Sequence, residues 1–144
     1  MTRYIISITL AVLFLLTSCD NPVDSDDEHA EAEGLVLVGA GDTILTVQNA
    51  QVSDTLEVVL DEAARIYDVI FLDGDGDQIA EEEFDDDFSL GWTVSNESVL
   101  SATQASMWSI EIDGLQADTT ALVLQLLHLG HPDFTTPEIV TVVR

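Results

Sequence analysis

The chain has 144 residues, of which 28 are Asp or Glu and only three are Lys or Arg, so its formal net charge is −25 at pH 7. A surface that binds nucleic acid or anionic lipid needs clustered basic side chains, which this composition does not supply. We therefore exclude nucleic acid as a partner. The acidity is interpreted as halophilic adaptation, because high salt screens like-charge repulsion. An acidic surface for cationic or metal partners is the alternative.

The N-terminal segment has the parts of a bacterial secretory signal. Arg3 provides a basic start, and residues 4–16 form an apolar run without acidic residues. Residues 16–19, Leu-Thr-Ser-Cys, contain the only cysteine and resemble the lipobox of bacterial lipoproteins. The resemblance implies that residues 1–18 are a signal peptide and that Cys19 is acylated. The protein is then anchored in the lipid bilayer of the cell envelope, in a leaflet that the sequence leaves open. An uncleaved transmembrane helix is disfavoured, because the run of about 13 residues is shorter than the roughly 20 that a span requires.

The segment after the cysteine is predicted to be a disordered tether. Residues 20–33 are acidic and polar and show no apolar periodicity. Self-repulsion extends such a chain and would lift the following domain away from the lipid surface. The predicted organisation is thus Cys19 and an acidic linker over residues 19–33, followed by one domain over residues 34–144.

Short apolar runs separated by turn residues follow from Gly34 onward, a pattern typical of a small all-β domain. The predicted strands cover residues 35–38, 43–47, 55–60, 65–72, 90–94, 99–102, 107–112, 120–129 and 139–143. Residues 65–72 alternate cleanly, with Tyr67, Val69 and Phe71 on one face, and are predicted to form a central strand. The long apolar run at 120–129 predicts a strand buried on both faces. This spacing favours an antiparallel β-sandwich of about seven to nine strands.

One stretch resembles a known family, the bacterial Ig-like domain of group 2. The motifs that carry the resemblance are Trp-Thr-Val-Ser-Asn-Glu-Ser-Val-Leu at 92–100, Ile-Asp-Gly-Leu at 112–115, Asp-Thr-Thr-Ala-Leu-Val-Leu at 118–124 and the upstream strand and turn at 69–76. The resemblance implies an Ig-like sandwich with an exposed binding or spacer role and no catalytic residues. The chain departs from the family at Asp118, where Gly is usual, and in having one module rather than a tandem array.

The acidic segment 73–87 contains one candidate calcium site. Asp73, Asp75 and Asp77 present carboxylates at alternate positions, and calcium takes six to eight oxygen ligands. The EF-hand pattern fails, because Gln78 stands where it requires Gly and Phe84 where it requires Glu. The alternative interpretation is an acidic turn followed by a solvated loop.

The histidines suggest a second metal candidate. His128 and His131 lie three residues apart with Asp133 nearby, a set that would bind Zn²⁺ or Cu²⁺ if a turn at residues 130–132 brought them together. His29 in the tether could add a ligand. The alternative is that His128 is a partly buried residue at the end of a strand, because alternation places it on the same face as Leu122, Leu124 and Leu126.

Two tryptophans, Trp92 and Trp108, have the spacing of inward-facing strand residues, which favours core positions over a sugar-binding platform. Since no nucleophile motif is present, the sequence predicts no enzyme. It predicts a noncatalytic binding or structural module with an envelope protein or glycan as partner. The alternatives are a metal-binding lipoprotein and a carbohydrate-recognising accessory module.

Overall fold

The computed structural model describes residues 31–144, which form two β-sheets packed face to face without an α-helix. The strands in chain order are β1 (Gly34–Gly39), β2 (Asp42–Gln48), β3 (Gln51–Val52), β4 (Leu56–Val58), β5 (Arg65–Leu72), β6 (Phe88–Val94), β7 (Leu100–Ser106), β8 (Ser109–Gly114), β9 (Asp118–His128), β10 (His131–Thr135) and β11 (Ile139–Val143). A short 3-10 turn at Glu81–Glu83 precedes β6. The all-β sandwich prediction is confirmed.

The predicted signal peptide, Cys19, His29 and most of the predicted tether lie outside the described residues. Within residues 31–144, no helix has the length and apolar character needed to cross a membrane.

The first sheet has six antiparallel strands in the order β3-β2-β1-β5-β8-β7. The second sheet is built around β9, which pairs with β6 along one edge and with β10 and β11 in succession along the other. Strand β4 completes it beside β11. This last pair is parallel, so the prediction of a wholly antiparallel sandwich is wrong for one pair. Strand partners depend on the path of the connections, which apolar alternation does not reveal.

Alternation along the strands places one face of each sheet in a shared core. On β5, the side chains of Tyr67, Val69 and Phe71 are buried as predicted. On β9, the even-numbered residues from 120 to 126 are buried, but Ala121, Val123, Gln125 and Leu127 remain partly exposed. The prediction that this strand is buried on both faces is therefore wrong. No described layer covers the outer face of the second sheet, so an apolar run here accompanies burial of one face only.

Residues 31–144 contain eleven strands instead of the predicted seven to nine. Each of the nine segments predicted as strands overlaps one observed strand, and the two missed strands are β3 and β10. Strand β3 is only two residues long, and β10 contains Pro132 next to a shift in register. Proline is tolerated on an edge strand or at a bulge, although it usually indicates a turn in sequence. The hairpin turn lies instead at Leu129 and Gly130, which both have positive φ values.

Candidate functional site

The predicted calcium residues lie in a turn that closes on itself. The Asp73 Oδ1 atom accepts hydrogen bonds from the backbone N–H groups of Asp75, at 3.0 Å, and Asp77, at 2.9 Å. The Asp73 N–H in turn donates to the Asp77 carbonyl oxygen at 2.9 Å, and Gly76 adopts a positive φ of 87°. One oxygen of the first carboxylate therefore stabilises the turn, while the side chains of Asp75 and Asp77 are exposed.

The candidate metal ligands do not come together as a set of three. Among residues 31–144, no group of three or more His, Cys, Asp or Glu side chains has an arrangement that could hold a metal ion. Asp73, Asp75 and Asp77 lie in the turn after β5, whereas His128 and His131 lie in the hairpin between β9 and β10.

The histidine hairpin does place its two imidazoles on the same face of the sheet. His128 and His131 are direct partners across the β9 and β10 pair. The His128 side chain is only 19% exposed, stacks on Phe88 with ring centroids 4.5 Å apart, and has Nδ1 3.5 Å from the Asp133 Oδ2 atom. His131 is exposed. These contacts make His128 part of the packed end of the second sheet.

The acidic connection, which we define as residues 73–87, is more than a solvated loop. Its N-terminal part returns along β5, where the Ile79 N–H donates to the Phe71 carbonyl oxygen at 3.0 Å and Gln78 bridges to Leu72. Ile79 is buried, and Phe84 is partly buried against the core. The acidic connection therefore covers the half of β5 that β8 does not pair with. The overlooked signal was the presence of two large apolar residues in an otherwise acidic segment.

Phe84 joins a group of rings from both sheets that we call the aromatic cluster. Its members are Phe71, Phe84, Phe88, Trp108 and Phe134. Phe71 is at its centre, with ring centroids 5.7 Å from Trp108, 5.8 Å from Phe84 and 6.3 Å from Phe134, all in edge-on geometry. Such edge-to-face pairs add roughly 0.5–1.5 kcal/mol each beyond the burial of area.

The two tryptophans occupy different environments. Trp108 is 8% exposed and belongs to the aromatic cluster, so its predicted core position is confirmed, but it lies in the turn before β8 and not on a strand. Trp92 is only partly buried and lies at the edge of the other sheet, so the prediction of a core position is incomplete for this residue. The alternation along β6 places the Trp92 side chain on the inward face of the sheet. Because no further strand within residues 31–144 pairs with β6, this side chain stays partly exposed at the sheet edge.

Trp92 lines a hollow of about 510 Å³ between β6 and β7, which we call the edge groove. The lining residues are Trp92, Thr93, Val94, Glu97, Leu100, Ser101, Ala102 and Leu115. The Trp92 Nε1 atom donates a hydrogen bond to the Ala102 carbonyl oxygen on β7 at 3.1 Å, which ties the two sheets together across the groove. Apart from the carboxylate of Glu97, the lining is uncharged. The groove thus combines an aromatic ring, two hydroxyl groups and one negative charge.

A second hollow, of about 350 Å³, lies beside the start of β5 and is mostly apolar. It is lined by Gly39, Ala40, Ile44, Arg65, Ile66 and Tyr67. Burial raises the pKa of the Tyr67 hydroxyl above its usual value, and the charge of Arg65 opposes that shift. The Arg65 guanidinium is paired with Glu62. The only basic side chain that lines this hollow is therefore already paired with a carboxylate. This makes the hollow a poorer candidate for a binding site than the edge groove.

Comparison with known proteins gave no relatives: no protein-family model matches the chain, and no curated protein matches it.

Proposed function

We propose that the protein is a lipid-anchored, noncatalytic binding module of the bacterial cell envelope, and that the edge groove is its binding site. The observation that carries the proposal is the position of Trp92. Binding sites are concave, mostly apolar with a few placed polar groups, and often contain an aromatic anchor. The edge groove is concave and combines an aromatic anchor with placed polar groups, but its exposed lining is mostly polar. Trp108, by contrast, is used for packing.

The anchoring part of the proposal is supported by the sequence at residues 16–19, which resembles a lipobox and contains the only cysteine of the chain. Several acyl chains on Cys19, at about 0.8 kcal/mol per buried methylene, would hold the protein to a bilayer. The acidic residues after Cys19 would then keep the sandwich away from the lipid.

The noncatalytic part is supported by the lining of the groove. Thr93 and Ser101 provide hydroxyl groups, but no His, Cys or Lys lines the groove, and Glu97 is the single titratable side chain there. The resemblance to bacterial Ig-like domains points the same way. It is part of the proposal and implies a binding or spacer role.

Carbohydrate recognition is a second candidate for the same groove. A tryptophan beside hydroxyl and carboxylate groups offers both an apolar surface and hydrogen-bonding partners for a sugar. The favouring observation is again that Trp92 lines a hollow instead of filling the core.

Photo-crosslinking in cells tests the proposed site. A photoreactive amino acid replaces Thr93 in the groove of the full-length protein, and a matched variant carries it at the exposed Glu57 on β4. We expect a specific adduct from position 93 and none of the same mass from position 57. Mass spectrometry then identifies the adduct as polypeptide or glycan. Identical adduct patterns from both positions would contradict the groove as the binding site.

The anchor is tested separately with Cys19→Ala. We expect this variant to lose incorporation of labelled palmitate and to leave the detergent phase in phase partitioning, while the unaltered protein stays in it. Equal labelling of the two proteins would remove the anchor from the proposal.

A further inference from the structure

The free edges of the two sheets are not equally protected. Unpaired strand edges attract other strands, and proteins usually protect them by short length, proline, bulges or charge. Strand β3 has two residues and β4 has three, and β10 contains Pro132 and a register shift. Strand β7 also has a register shift near its end, and Trp92 covers one of its carbonyl oxygens.

Strand β6 lacks these forms of protection. It has seven residues, Phe-Ser-Leu-Gly-Trp-Thr-Val, with no charge and no proline, and its register with β9 is continuous. No second strand within residues 31–144 pairs with it. An uncharged edge of about 23 Å, at roughly 3.3 Å per residue, is unexpected in a chain this acidic.

The backbone groups on this edge can be identified from the hydrogen bonds at its two ends. The Leu129 N–H donates to the Asp87 carbonyl oxygen, and the Ser95 N–H donates to the Ala121 carbonyl oxygen, both at 2.9 Å. Because the ladder alternates, odd-numbered residues of β6 face β9. The N–H and C=O groups of the even-numbered residues Leu90, Trp92 and Val94 therefore point away from β9.

The charges at the two ends of β6 indicate which kind of ligand would bind to its free edge. Asp85, Asp86 and Asp87 precede the strand, and Glu97 follows it in the edge groove. The uncharged edge is thus bounded by carboxylates at both ends. An extended peptide with basic residues near its ends would complement it, whereas a second copy of this chain would bring another net charge of −25 to the same place.

We propose that β6 binds an extended polypeptide segment of a partner protein by strand addition, with basic residues flanking an uncharged stretch of about seven residues. The added strand pairs with Leu90, Trp92 and Val94. Its inward side chains enter the edge groove beside Trp92. This inference rests on the proposed function, because it names the class of ligand for the same groove.

The test selects linear nonapeptides from a displayed random library on the full-length protein in detergent micelles. A Val94→Pro variant serves for counter-selection, because proline there removes a free donor without breaking a bond to β9. Val94→Thr is the matched control that retains the N–H. We expect selected peptides to bind the unaltered protein and Val94→Thr. Their affinity for Val94→Pro should be at least about tenfold weaker. If the selection yields no peptides that bind the unaltered protein more tightly than the Val94→Pro variant, the inference is overturned.

A second measurement does not depend on how that variant folds. Two versions of a selected peptide are N-methylated on alternate residues, one set on each edge of the peptide strand. We expect one version to lose at least about tenfold in affinity and the other to bind within about twofold, since only one edge faces β6. Binding should also slow amide exchange at Leu90, Trp92 and Val94 more than at Ser89, Gly91 and Thr93. Equal losses from both methylated versions, or no slowing at the even-numbered residues, would overturn the inference.

Failure of the strand inference and failure of the proposed function give different results. An oligosaccharide adduct at position 93, without peptide protection of β6, would leave the edge groove as a binding site and overturn strand addition. If sedimentation equilibrium shows a dimer that forms through β6, the partner is a second copy of this chain, and the proposed binding of a different protein is overturned. Absence of any specific adduct at position 93 would contradict both.

Discussion

The aromatic cluster and the edge groove each contain one tryptophan, but the surroundings of the two rings differ. Trp108 contacts Phe71 and Phe84, and the acidic connection closes over that part of the core. Trp92 is inward-facing too, yet it lies between two edge strands and lines an open hollow. Since Trp108 lies in the turn next to the edge strand β7, the difference shows that coverage by a neighbouring segment decides whether an inward aromatic residue packs or stays available for binding.

The largest expected effect comes from the centre of the aromatic cluster. Phe71 is 2% exposed and contacts three other rings. Phe71→Ala should lower the free energy of unfolding by about 3–5 kcal/mol, because it leaves a cavity and removes the ring pairs. Denaturant unfolding measures this change. Phe71→Leu is the control and should cost less, and a loss below about 1 kcal/mol for the alanine variant would contradict the packing role.

A smaller effect is expected where the acidic connection meets the cluster. Phe84 is partly buried, so Phe84→Ala should lower the free energy of unfolding by about 2 kcal/mol, below the range for a fully buried ring. Amide exchange should accelerate mainly in residues 78–87, because Phe84 attaches that segment to the core. The exposed Asp86→Ala in the same segment is the matched control. Unchanged exchange in Phe84→Ala would show that the segment is held by other contacts.

The groove tryptophan should matter less for stability and more for binding. Trp92→Ala is expected to cost about 1–2 kcal/mol, less than Trp108→Ala, because the groove already exposes part of the ring. The same variant should abolish the crosslinked adduct at position 93. Equal destabilisation by the two tryptophan variants would remove the distinction between cluster and groove.

A pH series extends the comparison to Tyr67, at the other end of β5 from Phe71. Burial raises the pKa of this hydroxyl, so the folded state favours its neutral form. The corresponding stability is fully present below the pKa of an unfolded tyrosine, about 10, and is lost as pH rises through the higher pKa of the folded state. Thermal unfolding from pH 8 to 11 should therefore show a steeper alkaline decline than in Tyr67→Phe. Parallel declines would rule out this residue as the cause.

Metal ions should have the smallest effect. Since residues 31–144 contain no arranged group of three ligands, Ca²⁺ and Zn²⁺ at matched ionic strength should shift the thermal midpoint by less than about 1 °C, whereas added NaCl should raise it. A binding ion would stabilise the folded state by about 2.7 kcal/mol at a hundred times its dissociation constant. A rise with Ca²⁺ that Asp75→Asn abolishes, or with Zn²⁺ that His131→Ala abolishes, would restore the metal-binding alternative.

The predictable parts of the fold were those encoded by local alternation. Strand β5 was predicted at its observed bounds, because Tyr67, Val69 and Phe71 alternate with polar or exposed positions. Strand β10 was missed because Pro132 has the appearance of a turn residue and its place at an edge bulge depends on β9. The acidic connection was misjudged as a solvated loop because the contacts of Ile79 and Phe84 are with residues distant in sequence.

The amino-acid sequence by itself determined the all-β class, most strand positions, the acidity and the lipobox-like segment, since each is a local pattern of residue types. Only the tertiary structure decided which edges remain open, that β4 and β11 run parallel, and that Trp92 lines a groove while Trp108 fills the core. The physical reason is that a period of two residues specifies which face of a strand turns inward. It carries no information about which strand, if any, lies beside it.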